Sequence, residues 1–168
     1  MEMSHRSKEV VEIAETAKQD FIELMDVNSD YEVLFIQVGA SLQFSMVPMN
    51  LLSGSKTEAL SNYLNVGQWS IKAIKEAKKI GDVNIAYDGS VTDYDHCPSE
   101  NEIDTTQGAA YLHYCSNNTI YGTRYESVPT TDVPVICDMS SDIFSRAIDW
   151  SKHAMVYAGA QKNLGPSG

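Results

Sequence analysis

A chain of 168 residues is the size of one domain, and its 43% hydrophobic content is enough to bury a core. The formal net charge of -11 argues against nucleic acid and against an anionic membrane surface, because both partners need a basic protein face. The three cysteines, Cys97, Cys115 and Cys137, are odd in number and show no CxxC spacing, which argues against a disulfide framework and for a reducing compartment.

The stretch from Met1 to Asp20 is polar and has no apolar signal core, and no apolar run approaches membrane-spanning length, so a cytoplasmic protein is expected. Val10, Ala14, Ala17, Phe21 and Leu24 recur at helical spacing, with Ser7 as N-cap and Glu9 in the first turn. Asn28-Ser29-Asp30 ends that helix. Tyr31 to Val38 reads as a buried strand, Gly39-Ala40-Ser41 as a turn, and Leu42 to Leu52 as a helix bent by Pro48. A strand is expected over Ala59 to Val66, a helix over Trp69 to Lys79 stopping at Gly81, and a short strand over Val83 to Ala86. Asp88 to Gln107 is acidic and irregular, a surface loop with at most a short helix. Further strands are expected over Ala109 to Cys115, Pro134 to Asp138 and Met155 to Gly159. The connection from Asn117 to Pro129 has room for one short strand, and Ser141 to Ala147 for a helical or turn segment. The alternation predicts an α/β fold, a mainly parallel sheet flanked by helices. The chain stops in a loop just after a buried strand, so the domain is expected to be incomplete.

In open α/β sheets, ligands collect beyond the carboxyl ends of the strands, and five features fall there. Lys162 follows Ala158, Gly159 and Ala160, small residues that let a bulky group approach the backbone. A lysine in that place is usually a solvated surface residue, but a partly desolvated one can form a Schiff base with an aldehyde cofactor. Asp138 ends the Val133-to-Asp138 run; it either caps the turn at Met139-Ser140-Ser141 or holds a pyridinium nitrogen protonated. Gly39-Ala40-Ser41 precedes a helix start, where backbone N–H groups bind phosphate, although an ordinary strand-helix turn has the same spacing. Trp69 could stack on a flat ring or serve as a core aromatic. Thr119 could hydrogen-bond a cofactor; its Asn117-Asn118-Thr119 sequon carries no meaning in the cytoplasm. Gly54-Ser55-Lys56-Thr57 lacks the upstream glycine of a phosphate loop, and His113 with Cys115 lacks a second metal-ligand pair.

Taken together, the chain resembles the phosphoserine aminotransferase family along essentially its whole length. The matching stretches include Glu2-Met-Ser-His-Arg6, Gly39-Ala-Ser-Leu-Gln-Phe44, Val47-Pro-Met-Asn50 and Gly67-Gln-Trp69. They continue with Tyr111-Leu-His-Tyr-Cys115, Asn118-Thr119-Ile120, Cys137-Asp-Met-Ser-Ser141 and Tyr157-Ala-Gly-Ala-Gln-Lys-Asn163, in family order. The resemblance implies pyridoxal 5'-phosphate as cofactor, with Lys162 as its Schiff-base lysine, Asp138 on the pyridinium nitrogen and Trp69 stacked on the ring. It implies Thr119 at the 3′ oxygen or its neighbourhood, Ala40, Ser41 and Gln161 at the phosphate, Arg6 on a substrate carboxylate and His5 beside it. The implied reaction passes an amino group between glutamate and 3-phosphohydroxypyruvate, giving O-phosphoserine and 2-oxoglutarate, with a related role in pyridoxine synthesis in some bacteria. It also implies a homodimer at full length, and a chain holding only part of the large domain, with the small domain absent. Val38 stands where the family usually has a glycine. Two alternatives stand beside this reading: another class V aminotransferase or desulfurase-like enzyme, and a binding module or fragment without activity.

Overall fold

A computed structural model describes residues 3–37, 39–53 and 59–166. Glu2, Val38 and the Gly54-to-Thr57 stretch lie outside the described residues. The first helix, α1, spans Lys8–Leu24, and the Ser7 hydroxyl accepts the Val10 amide at 3.4 Å as its N-cap. The helix buries none of its residues fully. It is tied down at its C-terminal end, where Phe21 meets Phe144 edge-on at 5.0 Å and the Trp150 indole donates to the Met25 carbonyl at 2.8 Å.

The segment after α1 departs from expectation. Tyr31 to Ile36 has no regular secondary structure, and Leu34, Phe35 and Ile36 are 70%, 57% and 51% exposed. A β-rich run becomes a strand only when a neighbour completes its ladder, and no described strand lies beside it. The start of the segment is anchored: the Tyr31 hydroxyl meets the Trp150 and His153 carbonyls, and Lys18 Nζ donates to the Glu32 carboxylate.

Helix α2 covers Ala40–Leu51 and starts two residues earlier than the sequence suggests, so Ala40 and Ser41 form its first turn. It continues through Pro48. Strand β1 (Leu60–Asn65) leads through Gly67 into α3 (Gln68–Ala77). Gly67 has φ +152, and a Cβ there would meet the Asn118 side chain and the Tyr121 ring at 3.1 Å, so only glycine fits this corner. Strand β2 (Asp82–Asp88) is longer than its apolar centre suggested, and two short 3-10 turns interrupt the acidic loop that follows. Then come β3 (Leu112–Cys115), the small hairpin strands β4 (Asn117–Asn118) and β5 (Thr123–Arg124), β6 (Val135–Asp138) and β7 (Met155–Tyr157). Ser141 to Phe144 forms turns rather than a helix.

The main sheet has five strands in the order β2-β1-β3-β6-β7, all parallel. On one face Tyr63, Tyr111, Ile136 and Tyr157 pack with Phe44 and Val47 of α2 and Ala73, Ile74 and Ala77 of α3. The opposite face gathers Leu64, Leu112, Tyr114, Val135 and Cys137 with Met25, Tyr125 and Trp150. Each large apolar side chain buried in this way contributes about 1.5–3 kcal/mol. Cys115 pairs with Asp138 and Asp138 with Tyr157 in register, so β3, β6 and β7 end in one row. That row lays the three following segments side by side. The order reverses at β1, whose neighbours are β2 on one side and β3 on the other, a switch point of the kind that opens a crevice at the strand ends.

Candidate active site

Six of the residues expected from sequence converge on one cleft of about 140 Å³: Ala40, Ser41, Trp69, Asp138, Gln161 and Lys162. Each is delivered by the end of an element. Ala40 and Ser41 open α2, Trp69 opens α3 after β1, Asp138 closes β6, and Gln161 and Lys162 sit in the turn after β7. Three expected residues stand apart from the lining. Thr119 is exposed in the turn between β4 and β5, and its near neighbour Asn117 reaches the cleft instead. His5 and Arg6 are exposed just ahead of α1.

The sequence reading missed Phe44, Cys115, Asn117, Ser140 and Ser141, which complete the wall. Cys115 was legible only as a strand residue and Ser140 only as a turn residue; no local signal marks either as part of a pocket. A larger, shallower groove of about 450 Å³ lies at the amino ends of β3 and β6, lined by residues 105–109 and 131–134. Asp132 is its one ionisable side chain, so size and chemistry part company here, and the smaller cleft is the candidate site.

The two oxygens of Asp138 are in different situations. Oδ1 accepts from the Ser140 amide at 2.9 Å and the Ser140 hydroxyl at 2.6 Å. Among the described residues, the one donor on Oδ2 is the Cys115 thiol, 3.9 Å away, a weak interaction. Burial pushes the Asp138 carboxyl above the usual carboxylate range, against the opposing pull of the Ser140 hydrogen bonds and of Lys162. Burial also pushes the Cys115 thiol well up, with the neighbouring Asp138 charge acting in the same direction. The Trp69 indole N–H is buried with no partner, and the Lys162 Nζ stands 5.0 Å from the ring centroid, with the Lys72 Nζ at 4.3 Å.

Deeper in the sheet, His113 is fully buried; its Nε2 meets the Tyr157 hydroxyl at 2.9 Å and its ring stacks on Tyr63 at 4.7 Å. Desolvation pushes its pKa down to about 3, so it is neutral in the fold.

A parallel α/β domain that gathers a buried carboxylate, an indole face and a lysine at its strand ends belongs to the class of cofactor-site domains built at a switch point. The aminotransferase class-V family model matches residues 1–168, and the chain belongs to that family. It is 53% identical over 169 residues to the phosphoserine aminotransferase of Pseudomonas putida, covering 100% of this chain and 46% of that protein. Among solved structures, a phosphoserine aminotransferase studied for radiation damage of its Schiff base superposes with a TM-score of 0.93 at 49% identity, covering 100% of this chain and 46% of that one. The pyridoxal-phosphate-bound phosphoserine aminotransferase of Trichomonas vaginalis superposes with a TM-score of 0.84 at 33% identity, covering 99% and 49%. The chain therefore spans about half the length of the curated relatives it matches.

Proposed function

We propose that this chain is the cofactor-binding part of a pyridoxal-phosphate-dependent phosphoserine aminotransferase. The observation that carries the reading is the convergence of Trp69, Asp138 and Lys162 on one cleft at the strand ends. The residues present fit the cofactor on four counts. Trp69 offers a flat indole face. Asp138 keeps one oxygen with only a weak thiol donor, and its raised pKa means that a cationic ring nitrogen would be a welcome partner. The N-terminus of the 12-residue α2 has no side-chain cap, and the Cβ position of Gly39 meets nothing within 4 Å, which leaves room for a phosphate. Lys162 supplies an amine beside the indole.

Pyridoxal phosphate supplies an electron sink and an aldehyde that exchanges amino groups. The chain's own part is to bind, orient and move protons. Asp138 would hold the ring nitrogen cationic, which strengthens the sink. Trp69 would lie against the ring, and Ala40, Ser41 and Gln161 would hold the phosphate. Lys162 would hold the cofactor through its amine, and its Nζ, once free, would be the group that takes and returns the proton of the substrate Cα. Thr119, from the exposed β4–β5 turn, is assigned to the ring's 3′ oxygen. Arg6 and His5 are assigned to the substrate anions; both are exposed, and a guanidinium suits bidentate carboxylate binding. The substrates under this reading are glutamate and 3-phosphohydroxypyruvate, the whole protein is a homodimer, and its place is the cytoplasm, where free thiols such as Cys97, Cys115 and Cys137 persist. A contribution to pyridoxine synthesis belongs to the same proposal.

The test is a pyridoxal phosphate titration of the purified chain, followed by borohydride reduction and peptide mapping. Label at Lys162 is expected. A folded chain that takes label at other lysines, or none, overturns the assignment.

A further inference from the structure

Ser140 touches both halves of the site. Its hydroxyl donates to Asp138 Oδ1 at 2.6 Å, and the same oxygen accepts the Gly159 amide at 3.0 Å. A hydroxyl has one proton to give and lone pairs to receive, so both bonds can form at once. Asp138 ends β6, and Gly159 lies in the segment after β7 that leads into the turn carrying Lys162. The Ser140 amide adds a second donor to the same Oδ1 at 2.9 Å. Ser140 and Asp138 are both buried, with 9% and 7% exposure, so water does not compete well for these bonds.

The geometry therefore points to Ser140 as a positioning residue. It occupies Oδ1, leaves Oδ2 with only the Cys115 thiol among the described donors, and ties the segment that leads to Lys162 to the carboxylate through one oxygen atom. β6 and β7 alone do not supply this link, since their ladder ends at the Asp138–Tyr157 pair, before the turn begins. Without the hydroxyl, Asp138 Oδ1 would keep only the Ser140 amide, and the segment after β7 would keep only its more distant tie, from the Asn163 side-chain amide to the Ile143 carbonyl at 2.8 Å. This assignment rests on the functional reading given above.

The experiment compares the parent chain with Ser140→Ala and Ser140→Thr by two readouts. One is hydrogen exchange at the Gly159 amide, in the chain without cofactor. The other is the dissociation constant for pyridoxal phosphate, read from its visible absorbance. In Ser140→Ala, exchange at Gly159 should be at least about tenfold faster and cofactor affinity about tenfold weaker, the scale of one charge-assisted hydrogen bond. Ser140→Thr keeps the hydroxyl and should bring both values back to within about threefold of the parent, a rescue that a merely volumetric role would not give. A folded Ser140→Ala with parent-like exchange and affinity overturns the assignment, as does a folded Ser140→Thr that rescues neither. If Ser140→Ala does not fold, Ser140→Cys takes its place, since its thiol donates weakly, and it carries the same expectations. A parent chain that takes up no cofactor overturns the functional reading and the positioning role with it; a parent that binds, beside a Ser140→Ala that binds equally, overturns the positioning role alone.

Discussion

The two ends of the sheet differ in an instructive way. The amino end has the larger groove, about 450 Å³, walled by threonines, Gln107, Gly108, Ala109 and Pro134 and holding Asp132. The carboxyl end has about 140 Å³, yet it gathers a buried carboxylate, a lysine, an indole with an unpaired N–H and an uncapped helix start. Volume alone would favour the amino end. What distinguishes the carboxyl end is unspent interaction: groups whose desolvation is incompletely compensated inside the protein and which a ligand could satisfy. The parallel arrangement explains the difference, since every strand delivers its last residue and its following turn to the same edge.

The sharpest way to break this comparison is Lys162→Ala. Borohydride-fixed label at that position should vanish, because Lys162 carries the one amine among the described residues that line the cleft; undiminished labelling of the chain would move the site elsewhere. Next in size is Asp138→Asn. The amide keeps the volume but removes the charge that would hold a ring nitrogen cationic, so cofactor affinity should fall about a hundredfold, close to 3 kcal/mol. A fall of less than threefold by absorbance titration would place Asp138 outside the pocket.

The pH dependence of folding probes the layer between the two ends. His113 titrates near 6.5 when unfolded and at about 3 in the fold, because burial opposes its charge. The unfolded chain therefore binds the proton first. Stability from this group is whole above pH 6.5 and is lost as pH falls toward 3. Between pH 7 and pH 5 the loss is about 2 kcal/mol. Urea unfolding at both pH values should show that drop, and His113→Gln, whose amide can still meet the Tyr157 hydroxyl, should lose about that much of it. His153 is likewise pushed down by burial and accounts for part of the slope that remains. An identical slope in parent and variant would mean that His113 accepts a proton inside the fold.

Much of this organisation is legible in the chain itself. The run to Asp138 and the Met155-to-Tyr157 strand announce themselves as short apolar segments bounded by proline, glycine and polar residues; Asp138 and Trp69 stand out because each sits where an element starts or stops, and Lys162 because it follows a strand and the small residues Ala158, Gly159 and Ala160. Ser140, Cys115 and Asn117 do not stand out. Their importance depends on the register of β3 against β6 and β6 against β7, which no local pattern encodes. Tyr31 to Ile36 shows the converse limit: its β propensity is plain, but propensity describes how well a run fits a sheet, and pairing needs a neighbour. The α2 boundary moved for a smaller reason. Gly39 takes the N-cap position with φ -72 and ψ 174, so the helix begins directly after it, whereas sequence reading gave Ala40 and Ser41 to the turn.

The smallest expected effects set the two ends directly against each other. Trp69→Leu keeps an apolar wall but removes the flat ring, and an aromatic contact of this kind contributes about 0.5–1.5 kcal/mol beyond its buried area, so affinity for pyridoxal phosphate should fall about tenfold. Asp132→Asn, in the amino-end groove, should change that affinity by less than about twofold, because the whole sheet separates it from the strand ends. The pair is informative because the two grooves compete as sites. If pyridoxal phosphate bound by size, Asp132→Asn would be the damaging change and Trp69→Leu the silent one. Absorbance titrations of both variants, run beside the parent, distinguish the outcomes. The reverse order would show that the carboxyl-end groups are spent on folding, and that the open amino-end groove holds the ligand.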